Sequence, residues 1–301
     1  MDPQTQSKNT GTGSPPSRTF AEHSRRWASF AYVYPVVSRR SRGLSIGINL
    51  NPDTICNFDC VYCQVDKIES PKPLTVDLIQ LRTELSSMLQ AVTSGELWRH
   101  PGFSGIDPAL QHLNDIAFSG DGEPTTAKGF PDAVDIVVEL KNTLGLHGVK
   151  LVLITNATRL SRPHVEAAIR TLDANHGEVW AKLDAGTEAY YKRIDRSAVS
   201  FKTILDNILT CGKRRPIVIQ SMFAQLHDSP IPDKEFEAYT QRIAELIERG
   251  CQIKAVQLYT VARQPLEPYV TAISDETLSR MAEQLAKKTP ATNISWYGAA
   301  G

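Results

Sequence analysis

GLSIGINLNPDTICNFDCVYCQVDK, residues 43–67, joins an apolar run directly to three closely spaced cysteines. The run GLSIGINL alternates between bulky apolar residues and small or polar ones, which is typical of a β-strand. Cys56, Cys60 and Cys63 follow, with three residues between the first pair and two between the second. The spacing predicts that the three thiols meet in one loop after the strand and hold a metal centre there.

Zinc is the first alternative for these three thiols. A structural zinc site uses four protein ligands, and the nearest histidines, His23, His100 and His112, do not stand at ligand spacing. A 4Fe–4S cluster takes thiolates by preference. With only three of them, one iron stays open to an outside ligand. We therefore favour a 4Fe–4S cluster over zinc.

Short runs with strand character alternate with segments of helical spacing along the chain. Strands are expected at residues 43–50, 115–120, 149–157, 178–185, 216–226 and 255–261. Helices are expected near residues 75–93, 128–145, 161–174, 200–213, 234–250 and 275–288. Gly145, Gly212 and Gly250 stand where helix C-caps are expected. Repeated strand–helix units predict an α/β fold with a parallel sheet and right-handed crossovers.

Polar residues share one face of several predicted strands. That face carries Trp180, Lys182 and Asp184 in one strand, and Gln257, Tyr259 and Arg263 in another. Parallel strands that are covered on both sides are normally apolar on both faces. The pattern therefore predicts a partial (β/α)6 TIM-like barrel whose lumen holds a polar ligand.

The predicted barrel covers residues 43–263, and extensions flank it on both sides. Residues 1–18 contain almost no apolar side chains and are expected to form a disordered tail. Residues 19–42 form an N-terminal extension with an aromatic stretch that is expected to pack. Residues 264–301 form a C-terminal extension packing on the barrel, in which residues 294–298 are expected to add a strand.

The composition is that of a soluble globular protein, with 41% apolar and 22% charged residues in 301. No apolar run reaches the ~18 residues that span a bilayer, and the first residues lack the apolar core of a secretory signal. Five cysteines, three of them clustered, do not resemble a secreted disulfide framework, so a reducing cytoplasm is expected. With 33 basic and 33 acidic residues, no DNA partner is indicated, while RNA is neither indicated nor excluded.

The motif C-x3-C-x2-C, with Tyr62 just before the last cysteine, resembles that of the radical S-adenosylmethionine (radical SAM) superfamily. The resemblance implies a 4Fe–4S cluster on the three cysteines, with S-adenosylmethionine chelated to the open iron. In that family, an electron from the reduced cluster cleaves the sulfonium, and the 5′-deoxyadenosyl radical so released abstracts hydrogen from a substrate. Tyr62 is then expected to contact the cofactor; simple packing is its alternative.

The segment SGDGEPT, residues 119–125, resembles the Gly-Gly-Glu-Pro segment of the family. The resemblance implies that this loop receives the methionine ammonium of S-adenosylmethionine. Its candidate cofactor-binding residues are Ser119, Gly120, Asp121, Gly122 and Glu123. A glycine allows close approach of backbone to ligand because it has no Cβ, while a turn without ligand is the alternative.

Two further cofactor contacts are implied at strand ends. Asn156 in LITNAT resembles the family's Thr-Asn-Gly end, and Asp184 in KLDAG is expected to bind the ribose hydroxyls. The alternatives are a turn-capping role for Asn156 and a helix N-cap for Asp184.

Lys182 and Arg263 are the candidate catalytic residues. Lys182 is expected either to pair with Asp184 or Glu123, or to contact the cofactor carboxylate or an anionic substrate. Arg263 would be its companion for a carboxylate or phosphate. The lone cysteines Cys211 and Cys251 are expected to be buried apolar residues.

SGDGEPT, VWAKLDAG and VQLYTVARQP most resemble Fe–S oxidoreductases related to wyosine-type tRNA base modification. Those enzymes carry extra cysteines ahead of the radical motif, whereas none precedes Cys56 here. The prediction is a radical SAM enzyme that acts on a small molecule or a (modified) nucleotide or tRNA, with a reductant such as flavodoxin or ferredoxin as partner.

Two alternatives stay open: a glycyl-radical-type activating enzyme acting on a protein partner, and a non-enzymatic Fe–S or zinc binding module. The long segment 94–114, expected to form a lid or an extra helix, favours a covered site and therefore the small substrate.

Overall fold

The computed structural model describes residue 27 and residues 29–38, 42–67 and 75–299. The predicted disordered tail, residues 1–18, lies outside these residues, as does part of the predicted N-terminal extension. None of the helices among the described residues combines the length and the apolar character that crossing a membrane requires.

The strands of the main sheet are short. They are β1 (Val33–Ser38), β2 (Gly43–Ile48), β3 (Leu113–Phe118), β4 (Lys150–Thr155), β5 (Gly177–Lys182), β6 (Ile217–Met222), β8 (Ile253–Tyr259) and β10 (Asn293–Tyr297). A separate antiparallel pair consists of β7 (Ala224–Leu226) and β9 (Val270–Ala272). Helices α1 to α7 in the described residues are Leu78–Thr93, Phe130–Thr143, Pro163–Asp173, Glu188–Ile194, Phe201–Arg214, Asp233–Glu248 and Asp275–Lys288.

The main sheet has the order β1-β2-β3-β4-β5-β6-β8-β10. β1 is antiparallel to β2, and each of the other neighbouring pairs is parallel. β1 and β10 form the two edges, and no described strand joins them, so the sheet is an open barrel. The predicted α/β class with a partial TIM-like barrel is confirmed, and residues 294–298 contribute the predicted strand, β10.

Alternation along the strands separates a helix-covered face from a lumen face. Leu44, Ile46 and Ile48 of β2 are fully buried on the covered face. Trp180 and Lys182 of β5 point to the other side, into a cavity. Because the side-chain period of a strand is two, this division follows directly from the sequence pattern.

β1 was not predicted as a strand, although the aromatic stretch was expected to pack. Tyr34 of β1 stands opposite Gly47 of β2, and a Cβ atom on Gly47 would overlap the Tyr34 ring. Tyr32 and Val33 belong to the main core, so the packing role is confirmed. The missing side chain at Gly47 allows Tyr34 to lie across the lumen face.

The connection 94–114 lies at the amino ends of the strands, because it joins the end of α1 to the start of β3. It contains two 3₁₀ turns, Leu97–Arg99 and Pro108–Leu110. The His112 carbonyl accepts from the Leu44 amide at 2.8 Å. Phe103 is buried in the core. The prediction of a lid is wrong, since the segment packs at the end opposite to the cysteines, and the extra helix is limited to the two 3₁₀ turns.

Two of the three predicted glycine C-caps are confirmed. Gly145 and Gly250 follow the ends of α2 and α6 with φ of +65° and +89°, values that suit glycine. Gly212 instead lies inside α5 and is buried. A Cβ atom there would overlap the Cys251 sulfur, so the small residue is needed for packing between α5 and the start of β8.

Gly212→Ala should therefore lower the free energy of unfolding by about 1–3 kcal/mol through overpacking. Alanine would otherwise favour the helix by about 1 kcal/mol. Urea denaturation followed by circular dichroism measures the change. The double variant Gly212→Ala/Cys251→Ala should lose less than the sum of the single losses, and strict additivity would contradict the contact.

Candidate active site

A cavity of about 380 Å³ opens at the carboxyl ends of the parallel strands. Loops after β2, β3 and β4 form its rim, and the lumen face of the sheet forms its wall. The lining includes Cys56, Cys60, Tyr62, Cys63, Ser119, Gly120, Asp121, Gly122, Glu123, Asn156, Trp180, Lys182, Gln220, Tyr259 and Arg263. Buried Ala117, Val152, Trp180 and Val218 form an apolar cluster on the lumen side. Most of the predicted site residues are thus brought to one cavity.

The three thiols of the cysteine loop, residues 54–67, are free and partly exposed, and all three line the cavity. Burial raises the pKa of the Cys56 thiol to about 11, partly offset by the Phe58 amide that donates to its sulfur at 3.4 Å. Burial also raises the pKa of Cys60, and the Asp195 charge adds to the rise. Cys56 and Cys60 are therefore protonated at neutral pH without metal, and a metal centre must displace their protons.

The C-terminal end of helix α4, a helix that the sequence patterns did not predict, is hydrogen-bonded to the cysteine loop. Backbone amides of Asp59 and Val61 donate to the carbonyls of Asp195 and Ile194, at 3.0 and 2.9 Å. Ser197 Oγ donates to the Asn57 carbonyl at 3.1 Å. A signal for α4 does exist in the sequence, because the Thr187 side chain accepts from the Tyr190 amide and caps the helix.

Tyr62 lies between two carboxylates. Its hydroxyl donates to Asp184, and the hydroxyl oxygen lies 3.2 Å from Asp195 Oδ1. Asp195 Oδ1 also lies 3.5 Å from the Cys60 sulfur. Burial, together with the nearby charge of Asp184, raises the pKa of Asp195. The structure thus gives Tyr62 a fixed position between the cysteine loop and β5, with its ring at the cavity.

Lys182 forms an internal ion pair with Asp184, one of the two alternatives from the sequence. Lys182 Nζ lies 3.2 Å from Asp184 Oδ2 and donates to the Tyr259 hydroxyl at 2.7 Å. The ammonium also lies 4.9 Å from the centre of the Tyr62 ring. Burial alone would lower the pKa of Lys182, but Asp184 and Tyr259 raise it overall, so the side chain is a stable cation at the cavity wall.

Asp184 is 2% exposed, and the protein itself occupies both of its oxygens. The Met222 amide donates to Oδ1 at 2.7 Å, while Oδ2 receives the Tyr62 hydroxyl and Lys182. The predicted contact with a ribose would require these bonds to be replaced. Asp184 is also no helix N-cap, because α4 is capped by Thr187.

The SGDGEPT loop is bound to protein partners on several sides. Glu123 accepts from Thr155 Oγ1 at 2.6 Å and from the Asn156 amide at 2.7 Å. Burial raises the pKa of Glu123, and these hydrogen bonds oppose the rise. Asn49 Nδ2 donates to Asp121 at 2.7 Å. The loop after β3 is therefore bonded to the ends of β2 and β4.

The two glycines of this loop make room for neighbouring protein atoms. A Cβ atom on Gly120 would overlap the Asn49 side chain, and one on Gly122 would overlap the Ile55 carbonyl. Their lack of a side chain allows the loops after β2 and β3 to pack together. Both glycines line the cavity, and their role in cofactor binding stays a prediction.

Asn156 caps a turn, which was the alternative to its role as a cofactor contact. Its Oδ1 accepts from the Thr158 amide at 3.2 Å, and its Nδ2 donates to Asn57 Oδ1 at 2.7 Å. Asn57 Nδ2 in turn donates to Thr158 Oγ1 at 2.7 Å. The side chain thus caps the turn after β4 and ties it to the cysteine loop.

Arg263 lies beyond the end of β8, and so in a loop and not on the strand face expected from the sequence. Its carbonyl accepts from Gln64 Nε2 at 2.8 Å, and the residue lines the cavity. Lys182 and Arg263 therefore reach the same cavity from two different elements.

Within the described residues, no three His, Cys, Asp or Glu side chains stand close enough together to hold one metal ion. The three partly exposed thiols of the cysteine loop face one cavity, and thiolates are the ligands that an iron–sulfur cluster takes.

The chain is similar in sequence to proteins named UPF0026. It is 26% identical to the UPF0026 protein of Helicobacter pylori (strain J99) over 178 residues, 58% of this chain and 50% of that protein. It is 26% identical to the UPF0026 protein of Synechocystis sp. (strain PCC 6803) over 214 residues, 69% of this chain and 71% of that protein. The match thus spans about half the length of the Helicobacter relative. No protein-family model matches the chain.

Three solved structures share the fold. TYW1 with a lysine–pyruvate adduct bound has a TM-score of 0.53 at 15% identity, covering 82% of this chain and 74% of that chain. A radical SAM methyltransferase from Sphaerobacter thermophilus has a TM-score of 0.53 at 14% identity, covering 88% of this chain and 68% of that chain. Streptococcus suis SuiB bound to S-adenosylmethionine has a TM-score of 0.52 at 12% identity, covering 86% of this chain and 49% of that chain. The chain therefore shares its fold with these structures, which include a radical SAM methyltransferase, and this is the fold that the cysteine motif predicts.

Proposed function

We propose that the chain is a radical SAM enzyme whose cluster ligands are Cys56, Cys60 and Cys63. The observation that carries the proposal is the convergence of these thiols on one cavity at the carboxyl ends of parallel strands. Among the described residues that line the cavity, they are the only thiols. Three protein ligands would leave one iron for S-adenosylmethionine. SuiB, which shares the fold, has been solved with S-adenosylmethionine bound.

When bound, the cluster and S-adenosylmethionine would supply one-electron cleavage to a 5′-deoxyadenosyl radical that abstracts hydrogen from the substrate. The chain itself positions and shields the reactants. Tyr62 and the backbone of the loop 119–123 form the cavity rim near the thiols, and Asn156 closes the rim after β4. The apolar wall of Val152 and Trp180 limits water on the lumen side.

Lys182 and Arg263 are the residues that we assign to an anionic group in the cavity. Both line it, and the Lys182 side chain is 16% exposed. The Lys182 ammonium is paired with Asp184 and therefore keeps its position without a ligand. It can still bind a carboxylate or a phosphate on the side that faces the cavity.

A second candidate, an activating enzyme that acts on a protein segment, gains support from the fold. The connection 94–114 lies at the end opposite to the cysteines, so it does not cover the cavity. One reason for preferring an enclosed small substrate is thereby removed. Assay of the purified enzyme with both substrate types distinguishes the two candidates.

We further propose that the enzyme works in a reducing cytoplasm and receives electrons from a flavodoxin or a ferredoxin. A cluster with an open iron is sensitive to oxidation, and the odd cysteine count does not suggest disulfides.

Anaerobic reconstitution should give brown protein with about four irons per chain, and dithionite with S-adenosylmethionine should yield 5′-deoxyadenosine. Cys56→Ala, Cys60→Ala and Cys63→Ala should each lose the colour and the product. Cys211→Ala and Cys251→Ala are matched controls, since these two thiols are buried away from the cavity. Both variants should keep the brown colour and should form 5′-deoxyadenosine. Stoichiometric zinc without iron uptake in anaerobically purified protein would refute the proposal.

Lys182→Met should destabilise the protein by about 3 kcal/mol, because it leaves the buried Asp184 carboxylate without its cation. Thermal unfolding measures the loss. The double variant Lys182→Met/Asp184→Asn should be more stable than Lys182→Met alone. If it recovers stability but not 5′-deoxyadenosine formation, Lys182 also has the proposed role in the cavity. A Lys182→Met protein with full stability and full activity would contradict both roles.

A further inference from the structure

Gln220 is a buried polar residue in the wall of the cavity, and the proposed function leaves it without a role. It stands on the lumen face of β6, is 1% exposed and lines the cavity. The strand register places Gln220 between Lys182 of β5 and Gln257 of β8. Because neighbouring strands lie side by side, these three side chains form one polar row across the lumen wall.

The Gln220 amide can form hydrogen bonds that the protein does not use. Its Nε2 donates to Gln257 Oε1 at 2.8 Å, which leaves one N–H and the Oε1 acceptor. Among the residues that the structure describes, none donates to Gln220 Oε1, and protein atoms do not seal this oxygen off. An acceptor in so deeply buried a residue is costly to leave without a donor. Gln220 therefore offers an open acceptor to a molecule in the cavity.

The surroundings of Gln220 favour an uncharged partner group. Towards the amino ends of the strands, the next residues of the lumen wall are Trp180 and Val218, which belong to the apolar cluster on that side. Towards the carboxyl end, the next lumen residue of β6 is Met222. A cationic donor would lose its hydration against these side chains and would be repelled by Lys182 in the same row.

The position of Gln220 separates it from the predicted cofactor contacts. Tyr62, the loop 119–123 and Asn156 lie in the loops after β2, β3 and β4, at the rim of the cavity. Gln220 lies within β6, two residues before the end of that strand, in the other half of the sheet. A group that contacts Gln220 therefore lies deeper in the lumen than the rim contacts.

We propose that Gln220 binds an amide or lactam edge of the substrate. Gln220 Oε1 accepts from the substrate N–H, and the remaining Gln220 N–H donates to the adjacent C=O, as one donor and one acceptor on each side allow. The inference rests on the proposed function and deepens it by naming a substrate class. The substrate is an acid or a phosphate whose anion lies at Lys182 and Arg263 and whose uncharged amide edge reaches Gln220.

Such an edge has two common sources, the nucleobases and the lactams derived from amino acids. Orotate represents the first source, since it carries a carboxylate and the imide edge of a pyrimidine. Pyroglutamate represents the second, with a carboxylate and a lactam edge. 1,3-Dimethylorotate and N-methylpyroglutamate are the matched probes, because they keep the carboxylate and lack the N–H.

Ligand-observed saturation-transfer NMR measures the four affinities on the anaerobically reconstituted protein with S-adenosylmethionine bound. The wild type should bind orotate or pyroglutamate about tenfold more tightly than the N-methyl counterpart, the size expected for a buried hydrogen bond. The pair that shows this preference identifies the source of the edge. Gln220→Met, which keeps the length and removes the amide, should abolish the preference. Gln241→Met is the matched control, since Gln241 is exposed on α6, and it should keep the preference.

The preference is a ratio of two affinities, so a general loss of fold or of anion binding weakens both probes and leaves the ratio unchanged. Gln220→Met also leaves the Gln257 amide without its partner. The double variant Gln220→Met/Gln257→Met removes both partners of that buried bond, a change that is often nearly neutral for stability. It should lack the preference in the same way. Calorimetry should give both variants the wild-type affinity for S-adenosylmethionine.

Equal affinity of the wild type for both members of each pair would overturn the amide edge as the substrate class. A preference that survives in both Gln220 variants would overturn the assignment of Gln220. A loss of affinity for S-adenosylmethionine in both variants would place Gln220 at the cofactor and would overturn the proposal as well. Absence of any cluster in the wild type would instead refute the proposed function itself, so the two failures are distinguishable.

Discussion

The buried carboxylate of Asp184 is the interaction on which the site depends. It receives the Met222 amide from the end of β6, the Tyr62 hydroxyl from the cysteine loop and the ammonium of Lys182 from β5. Lys182 extends the same network to Tyr259 of β8. A carboxylate at 2% exposure is costly unless such donors surround it. Its burial therefore requires three strand ends and the cysteine loop to stand in one arrangement.

A second set of bonds positions the cysteine loop from the side of α4. Backbone bonds to Ile194 and Asp195 fix residues 59–61, and Asn57 joins the loop to Asn156 and Thr158. The thiols are thus carried by a loop whose backbone is held at both ends before any metal binds. Such preorganisation lowers the ordering cost of cluster binding, since the ligands do not have to be collected from a flexible chain.

The sequence by itself determined the α/β class, the order of the repeated strand–helix units, the lumen face and the grouping of three thiols in one loop. Each of these follows from a local pattern: alternation, helical spacing, glycine C-caps or cysteine spacing. Residues distant in sequence decided the rest. α4 was missed because it is short and its stability comes from packing. Gly212 was misjudged because the sulfur that excludes its Cβ, that of Cys251, belongs to another segment. Asp184 was expected to face a ligand, but its partners on β6, β5 and the cysteine loop are brought together only in the tertiary structure, where burial forces a carboxylate to find donors.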